Sequence, residues 1–204
     1  SQARGKLGWD EQQLCFKPTT VHEASFNAGA CNGVFATNKA IENGMQAGTA
    51  AARAAGFDIA DDSAPEVAAP AQSWRPLAAW KITNGMGEGE GPKAFVDYQN
   101  DVTASDVKLA VREGYQSVEQ VKRYTTLGMA TDQGKTSNIN GLAILAESLG
   151  NEIPQVGTTT FRMPYTPSGF GAIAGREIGD LFDPVRVTRM DDWHRANGAT
   201  FEHV

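Results

Sequence analysis

Cysteine is nearly missing from this sequence, with only Cys15 and Cys31 among 204 residues. Two thiols build neither a disulfide framework nor a four-ligand metal site. Both read as reduced thiols of a cytoplasmic protein, with one bridge between them left open. Histidine is as scarce. His22, His194 and His203 are scattered and mark no metal centre. No apolar run approaches the roughly 18 residues needed to span a bilayer, so no membrane segment is expected. The opening residues show neither a basic stretch nor an apolar one after it, so no targeting segment is read there. Positive charge is also short: 18 Lys and Arg stand against 24 Asp and Glu, a net charge of −6. That excludes a general nucleic-acid binder, which needs a basic face.

What is present is 41% hydrophobic and 21% charged, suited to one or two globular domains. Eight of the nine prolines, with nine of the 22 glycines, fall in two stretches, 58–93 and 151–188, that read as connections. So much connection leaves little core for the length, as in a fragment of something larger. Residues 1–25 show no sustained period. Phe26 to Phe35 reads as a turn or short strand. Ile41, Met45 and Ala52 at helical spacing predict a helix over 38–55, ended by Gly56. Trp74 and Trp80 are too apolar for water, so the first connection should dock on a surface.

Residues 94–150 are the best-punctuated part. Ala94 to Tyr98 predicts a strand or an extended entry. Thr103 and Asp106 form a capping-box pattern for a helix to Glu113, stopped by Gly114. Ser117 and Gln120 repeat the signal for a second helix ended by Gly128. Ser137 or Asn138 opens a third, with Leu142, Leu145 and Leu149 inside. Thr188 and Asp191 predict a last helix to Asn197. The fold class is therefore mostly α with minor β. No internal repeat is evident.

One stretch carries chemistry. Between residues 122 and 138, Lys122, Arg123 and Lys135 stand against the single acid Asp132. Hydroxyls of Thr125, Thr126, Thr131, Thr136 and Ser137 accompany them, and a helix N-terminus follows. Cations, hydroxyl donors and a positive helix end suit a phosphate or another anion. A polar interhelix loop that caps its neighbours is the plain alternative. Gly134-Lys135-Thr136 is not a phosphate loop, because Gly128 is misplaced and a helix rather than a strand precedes it. The Gly85–Gly91 run lacks the strand and helix of a dinucleotide fingerprint.

Phe95-Val-Asp-Tyr-Gln-Asn-Asp-Val-Thr-Ala, the stretch Val121 to Asn138, Gly157-Thr-Thr-Thr-Phe-Arg-Met-Pro-Tyr-Thr-Pro and Leu181-Phe-Asp-Pro-Val-Arg together resemble the alpha subunits of heterotetrameric sarcosine oxidases. The resemblance covers essentially the whole chain and implies a central fragment of such a subunit. It implies that 1–57 is the end of a dinucleotide-binding, flavoprotein-like domain. There Ala30 of Ala28-Gly29-Ala30 replaces the acid that would meet a flavin ribityl chain, as in an NAD-holding relative. It implies a linker at 58–93 and, at 94–150, a three-helix module similar to bacterioferritin-associated ferredoxins. It further implies an extended connection at 151–188 and the start of a folate-binding aminomethyltransferase domain at 189–204.

In ferredoxins of that type four cysteines hold a 2Fe-2S cluster. The matching positions here are Asp97, Gln99, Asp132 and Ser137, so no iron–sulfur cluster is expected. By resemblance the complex oxidises sarcosine to glycine, giving hydrogen peroxide and formaldehyde or methylenetetrahydrofolate. NAD, FAD and tetrahydrofolate lie elsewhere in it, and the small amine substrate binds elsewhere too. FMN lies between the alpha and beta subunits. The site residues expected on the alpha side are Lys122, Arg123, Thr125, Thr126, Gln133, Lys135, Thr136 and Ser137. No catalytic residue is assigned, and the fragment alone is expected to be inactive. A related N-methyl amino acid or opine oxidoreductase subunit, or a module that only joins subunits, are the alternatives.

Overall fold

A computed structural model describes residues 5–60, 63–70, 75–83, 85–86, 90–163 and 165–202. The chain divides into two compact units, residues 1–165 and 166–204. It is mostly helical with two small sheets among the described residues.

The first unit opens with an antiparallel hairpin of β1 (Lys6–Asp10) and β2 (Cys15–Thr20). The sequence hides it. Gly8 and Pro18 break the alternation, and the turn uses Leu14 at φ 49° where glycine or asparagine would be the usual signal. What fixes the register is the opposed pair Trp9 and Phe16, with ring centroids 5.0 Å apart. Asp10 accepts from the backbone N–H groups of Gln12 and Gln13 and pairs with Lys17. Cys15 sits in β2, and the exposed Cys31 lies in a 3-10 turn at Gly29–Asn32. The expected first helix follows as α1 (Thr37–Ala54). Its Asn43 side chain accepts from Gly29 N–H at 3.0 Å, tying the Ala28-Gly29-Ala30 turn to the helix.

The described part of 58–93 has neither helix nor strand. It docks as expected through Trp80, which packs on the core, and through Lys81, whose ammonium lies 2.9 Å from Glu147. Trp74 lies outside the described residues.

Then come β3 (Phe95–Asp97) and β4 (Val102–Thr103), paired antiparallel, and three helices: α2 (Ala104–Arg112), α3 (Val118–Thr125) and α4 (Asn138–Leu149). The Thr103–Asp106 capping box forms in full. Thr103 N–H and hydroxyl both donate to Asp106, and Asp106 N–H donates back. The second box does not form. Ser117 makes no side-chain cap, and α3 ends at Thr125 with Thr126 at φ 65°, three residues before Gly128. Helix α4 is buried around most of its girth: Gly141 to Ala146 are all buried. Gly141 must lack a Cβ, because one there would strike the Leu127 side chain. Val107, Val121, Leu142, Ile144 and Leu145 are the centre of the core, each exposed by 1% or less. Full burial of such a side chain contributes about 1.5–3 kcal/mol.

Beyond α4, the expected extended segment begins with a short helix, α5 (Ile153–Val156), with Pro154 in its first turn, where a missing N–H costs nothing. The second unit holds α6 (Phe170–Ala174), a 3-10 stretch at Arg176–Phe182 and α7 (Asp191–Ala196). Helix α7 starts at Asp191 with Met190 as its N-cap, so the Thr188–Asp191 box is not made. Only the backbone bond from Asp191 N–H to Thr188 C=O joins those two residues. Among the described residues no helix is long and apolar enough to cross a membrane.

Candidate functional site

Four residues 40 positions apart at the extremes converge beneath the loop that joins α3 to α4. Asp97, at the end of β3, is 2% exposed. Its Oδ1 accepts from the N–H groups of Gln99 (2.9 Å) and Asn100 (3.2 Å). Its Oδ2 accepts from Gly128 N–H (2.8 Å) and faces the Ser137 hydroxyl at 3.4 Å. Gln99 Oε1 lies 3.5 Å from Asp132 N. Asp97, Gln99, Asp132 and Ser137 thus form two facing pairs. A buried carboxylate taking several donors is a strong local anchor, since bonds to a charged acceptor are worth more than neutral ones. It binds the β3–β4 turn to both ends of the loop.

The loop itself is built from turns. Asp132 accepts from Gly134 N–H (3.0 Å), Thr136 N–H (3.3 Å) and the Thr136 hydroxyl (2.9 Å). The Gly134 N–H, with the Thr136 donors, holds its carboxyl below the usual range. Gln133 sits at φ 51° and Gly134 at φ 77°. Asn138, in the first turn of α4, wedges between two glycines. Its Oδ1 is buried without a hydrogen-bond partner and lies where a Cβ on Gly128 or Gly134 would stand. Both glycines also have positive φ, so two independent constraints require them.

The expected site residues separate into two sets. Three hydroxyls are engaged inside the loop. Thr125 donates to Val121 C=O at 2.8 Å and accepts from Leu127 N–H, Thr136 serves Asp132, and Ser137 is 1% exposed against Asp97. Arg123 is paired with Glu119 at 3.0 Å and also donates to the Glu119 carbonyl. Thr126 is exposed at the left-handed end of α3, and its carbonyl accepts from Asn100 at 3.0 Å.

The second set faces one irregular segment, residues 159–163, and Tyr165 beyond it. Lys122 Nζ donates to Thr160 C=O at 3.2 Å, and Lys135 Nζ to Tyr165 C=O at 2.9 Å while lying 4.0 Å above the Tyr165 ring. The Gln133 amide makes a matched pair with the Arg162 backbone, donating to its C=O (2.6 Å) and accepting from its N–H (2.8 Å). Glu119 accepts from Thr160 N–H at 2.6 Å, and Asn138 Nδ2 donates to the buried Thr159 hydroxyl at 3.0 Å. Partial burial pushes the Glu119 carboxyl up. The Thr160 N–H, Lys122 and Arg123 outweigh that and hold it below its ordinary value.

Sequence reasoning missed Asp97 as an anchor of this loop, and it missed Glu119 and Asn138 as holders of the 159–163 segment. A buried acid in a short strand would have been the only hint. Among the described residues no three His, Cys, Asp or Glu side chains are grouped to hold a metal ion.

Residues 91–176 match the family model for the sarcosine oxidase A3 domain. The chain is 44% identical over 205 residues to the sarcosine oxidase subunit alpha of Corynebacterium sp. (strain P-1), covering 100% of this chain and 21% of that protein. The subunit alpha of Rhizobium meliloti (strain 1021) is 52% identical over 126 residues, 62% of this chain and 12% of its own length. The chain therefore spans about a fifth, 21%, of the length of the Corynebacterium relatives. Among solved structures, an L-proline dehydrogenase from P. horikoshii shares the fold at a TM-score of 0.58 and 16% identity, over 85% of this chain and 36% of that one.

Proposed function

The chain is a relative, over its whole length, of the sarcosine oxidase alpha subunits, and from that premise we propose that residues 122–137, the end of α3 and the loop after it, form the alpha-side part of an FMN phosphate site in an oxidase complex. That complex oxidatively demethylates sarcosine to glycine, with hydrogen peroxide and formaldehyde or methylenetetrahydrofolate as the other products. Its beta subunit supplies the opposite side of the FMN site, and NAD, FAD and tetrahydrofolate belong to other parts of the assembly. The 94–150 module is a ferredoxin-like unit in which hydrogen-bonded polar side chains replace cluster thiolates.

The observation that carries this reading is the pairing of Lys122 and Lys135. Two ammonium groups, Lys122 in the last turn of α3 and Lys135 in the loop after it, reach the same neighbouring strip of backbone, at Thr160 and Tyr165. Each ammonium is a charge-assisted donor of the kind that phosphate oxygens take. Gln133 adds an amide with a donor and an acceptor on the same side. FMN, when bound, supplies the electron-accepting ring. The residues of this chain hold the phosphate, orient it and place positive charge near it. Arg123 is paired with Glu119, which partly neutralises it. Thr126 lies at the exposed edge. Thr125, Thr136 and Ser137 act one step back, by shaping the loop.

The test is the FMN content of the assembled complex. Lys122→Ala with Lys135→Ala should lower it severalfold, and adding Arg123→Ala should lower it further. Wild-type content and turnover in these variants would remove the proposal. One observation favours the rival, a module that only joins subunits: the same lysines already hold a segment of their own chain. That reading expects no flavin effect from the lysine variants.

A further inference from the structure

We propose that residues 159–163 form a gate over the anion site, kept closed by the groups that would take the phosphate; the idea rests on the phosphate reading above. Four side chains hold this strap: Glu119, Lys122, Gln133 and Asn138. Three of the four grip its backbone, and the fourth takes a short hydroxyl. None reads the identity of Phe161, Arg162 or Met163, whose side chains are exposed. Thr159 alone is buried.

Phe161 packs edge-on against Tyr165 with ring centroids 4.9 Å apart, within the same irregular stretch, and only Thr159 of the strap is fully buried. The strap belongs among the regions that open at low cost. Lys122, at the strap's Thr160 carbonyl, and Lys135, at the Tyr165 carbonyl just beyond it, gain by the exchange. A carbonyl offers Lys122 and Lys135 a dipole, whereas a phosphate offers a full charge. Both bonds are charge-assisted by the ammonium, but only the phosphate adds attraction between two full charges. Gln133, held at φ 51°, is a further contact kept in a sparsely populated backbone region. The closed strap therefore lowers the apparent affinity for a phosphorylated ligand by the fraction of molecules that are open. Ligand binding shifts the population toward the open form.

Amide hydrogen exchange at Thr160 and Arg162 tests the gate, with FMN and, separately, inorganic phosphate titrated into the flavin-depleted assembled complex. Displacement should speed exchange at both amides by about tenfold or more, while amides of α4 stay unchanged. A neutral loosening variant, Thr159→Val, should bind FMN severalfold more tightly, because it removes a strap contact without touching a cation. Unchanged exchange up to tens of millimolar of either probe would overturn the gate, as would affinity in Thr159→Val equal to or below wild type. Slower exchange in bound FMN would also overturn it, yet leave the phosphate reading standing with the strap as a fixed wall of the site.

Discussion

Residues 94–163 and 166–202 contain similar kinds of side chain and treat them in opposite ways. The first stretch buries Val107, Val121, Leu142, Ile144 and Leu145 almost completely. In the second, no described residue is buried, and Phe170, Ile173, Leu181 and Val185 are each more than 70% exposed. What differs is the framework. The first stretch has a formed capping box, a buried carboxylate anchor and helices long enough to share a core. The second has two helices of five and six residues and a kinked 3-10 stretch. Apolar residues become a core only when enough regular structure exists to offset the ordering entropy. Contiguous exposed apolar surface is, in general, a signal of an interaction site.

The sharpest way to break this comparison is a pair of truncations. Leu142→Ala should cost about 2–5 kcal/mol, seen as a large drop in the denaturation midpoint. Leu181→Ala should stay within about 0.5 kcal/mol. Equal effects would show that the second unit has a core of its own. Next in size is Asp97→Ala, which strands the Gly128 N–H and the β3–β4 turn donors. A loss of about 2–3 kcal/mol is expected, with Asp97→Asn milder because it keeps an acceptor. Gly134→Ala should cost about 1–2 kcal/mol from its positive φ alone, and more from the collision with Asn138. Thr103→Ala should cost about 1 kcal/mol through the lost cap.

The smallest effect is on pH. Glu119 and Asp132 have carboxyls held below their ordinary values in the folded chain. Their stabilisation is fully present above the unfolded carboxylate range, about 4, and fades as pH falls through the lowered folded values. Proteolysis within 159–163 should therefore quicken at acid pH before the 94–150 helices melt. Simultaneous loss would place the strap inside the same cooperative unit as the core.

The helices and the first capping box were legible because their signals are local: Thr103 to Asp106 and the Leu142–Leu145 spacing need no distant partner. The polar character of 122–138 was legible as composition, by its excess of cations and hydroxyls. The assignment of individual roles was not. Ser137 looks like a free hydroxyl in sequence, and only the arrival of Asp97 from 40 residues away buries it. The hairpin at 6–20 stayed hidden because Leu14 takes a left-handed turn position without the glycine that usually announces one. Lys122 and Lys135 read as cations of one polar loop, whereas Lys122 is half-buried in the last turn of α3 and only Lys135 is exposed in the loop; their shared segment at 159–165 is a tertiary fact.

The most direct measurement is discrimination between FMN and riboflavin, which differ by the phosphate alone. In the assembled complex the ratio of riboflavin Kd to FMN Kd should be large. It should collapse toward one when Lys122 and Lys135 are both changed to alanine. An undiminished ratio in that double variant would show that the phosphate is held elsewhere and would contradict the account.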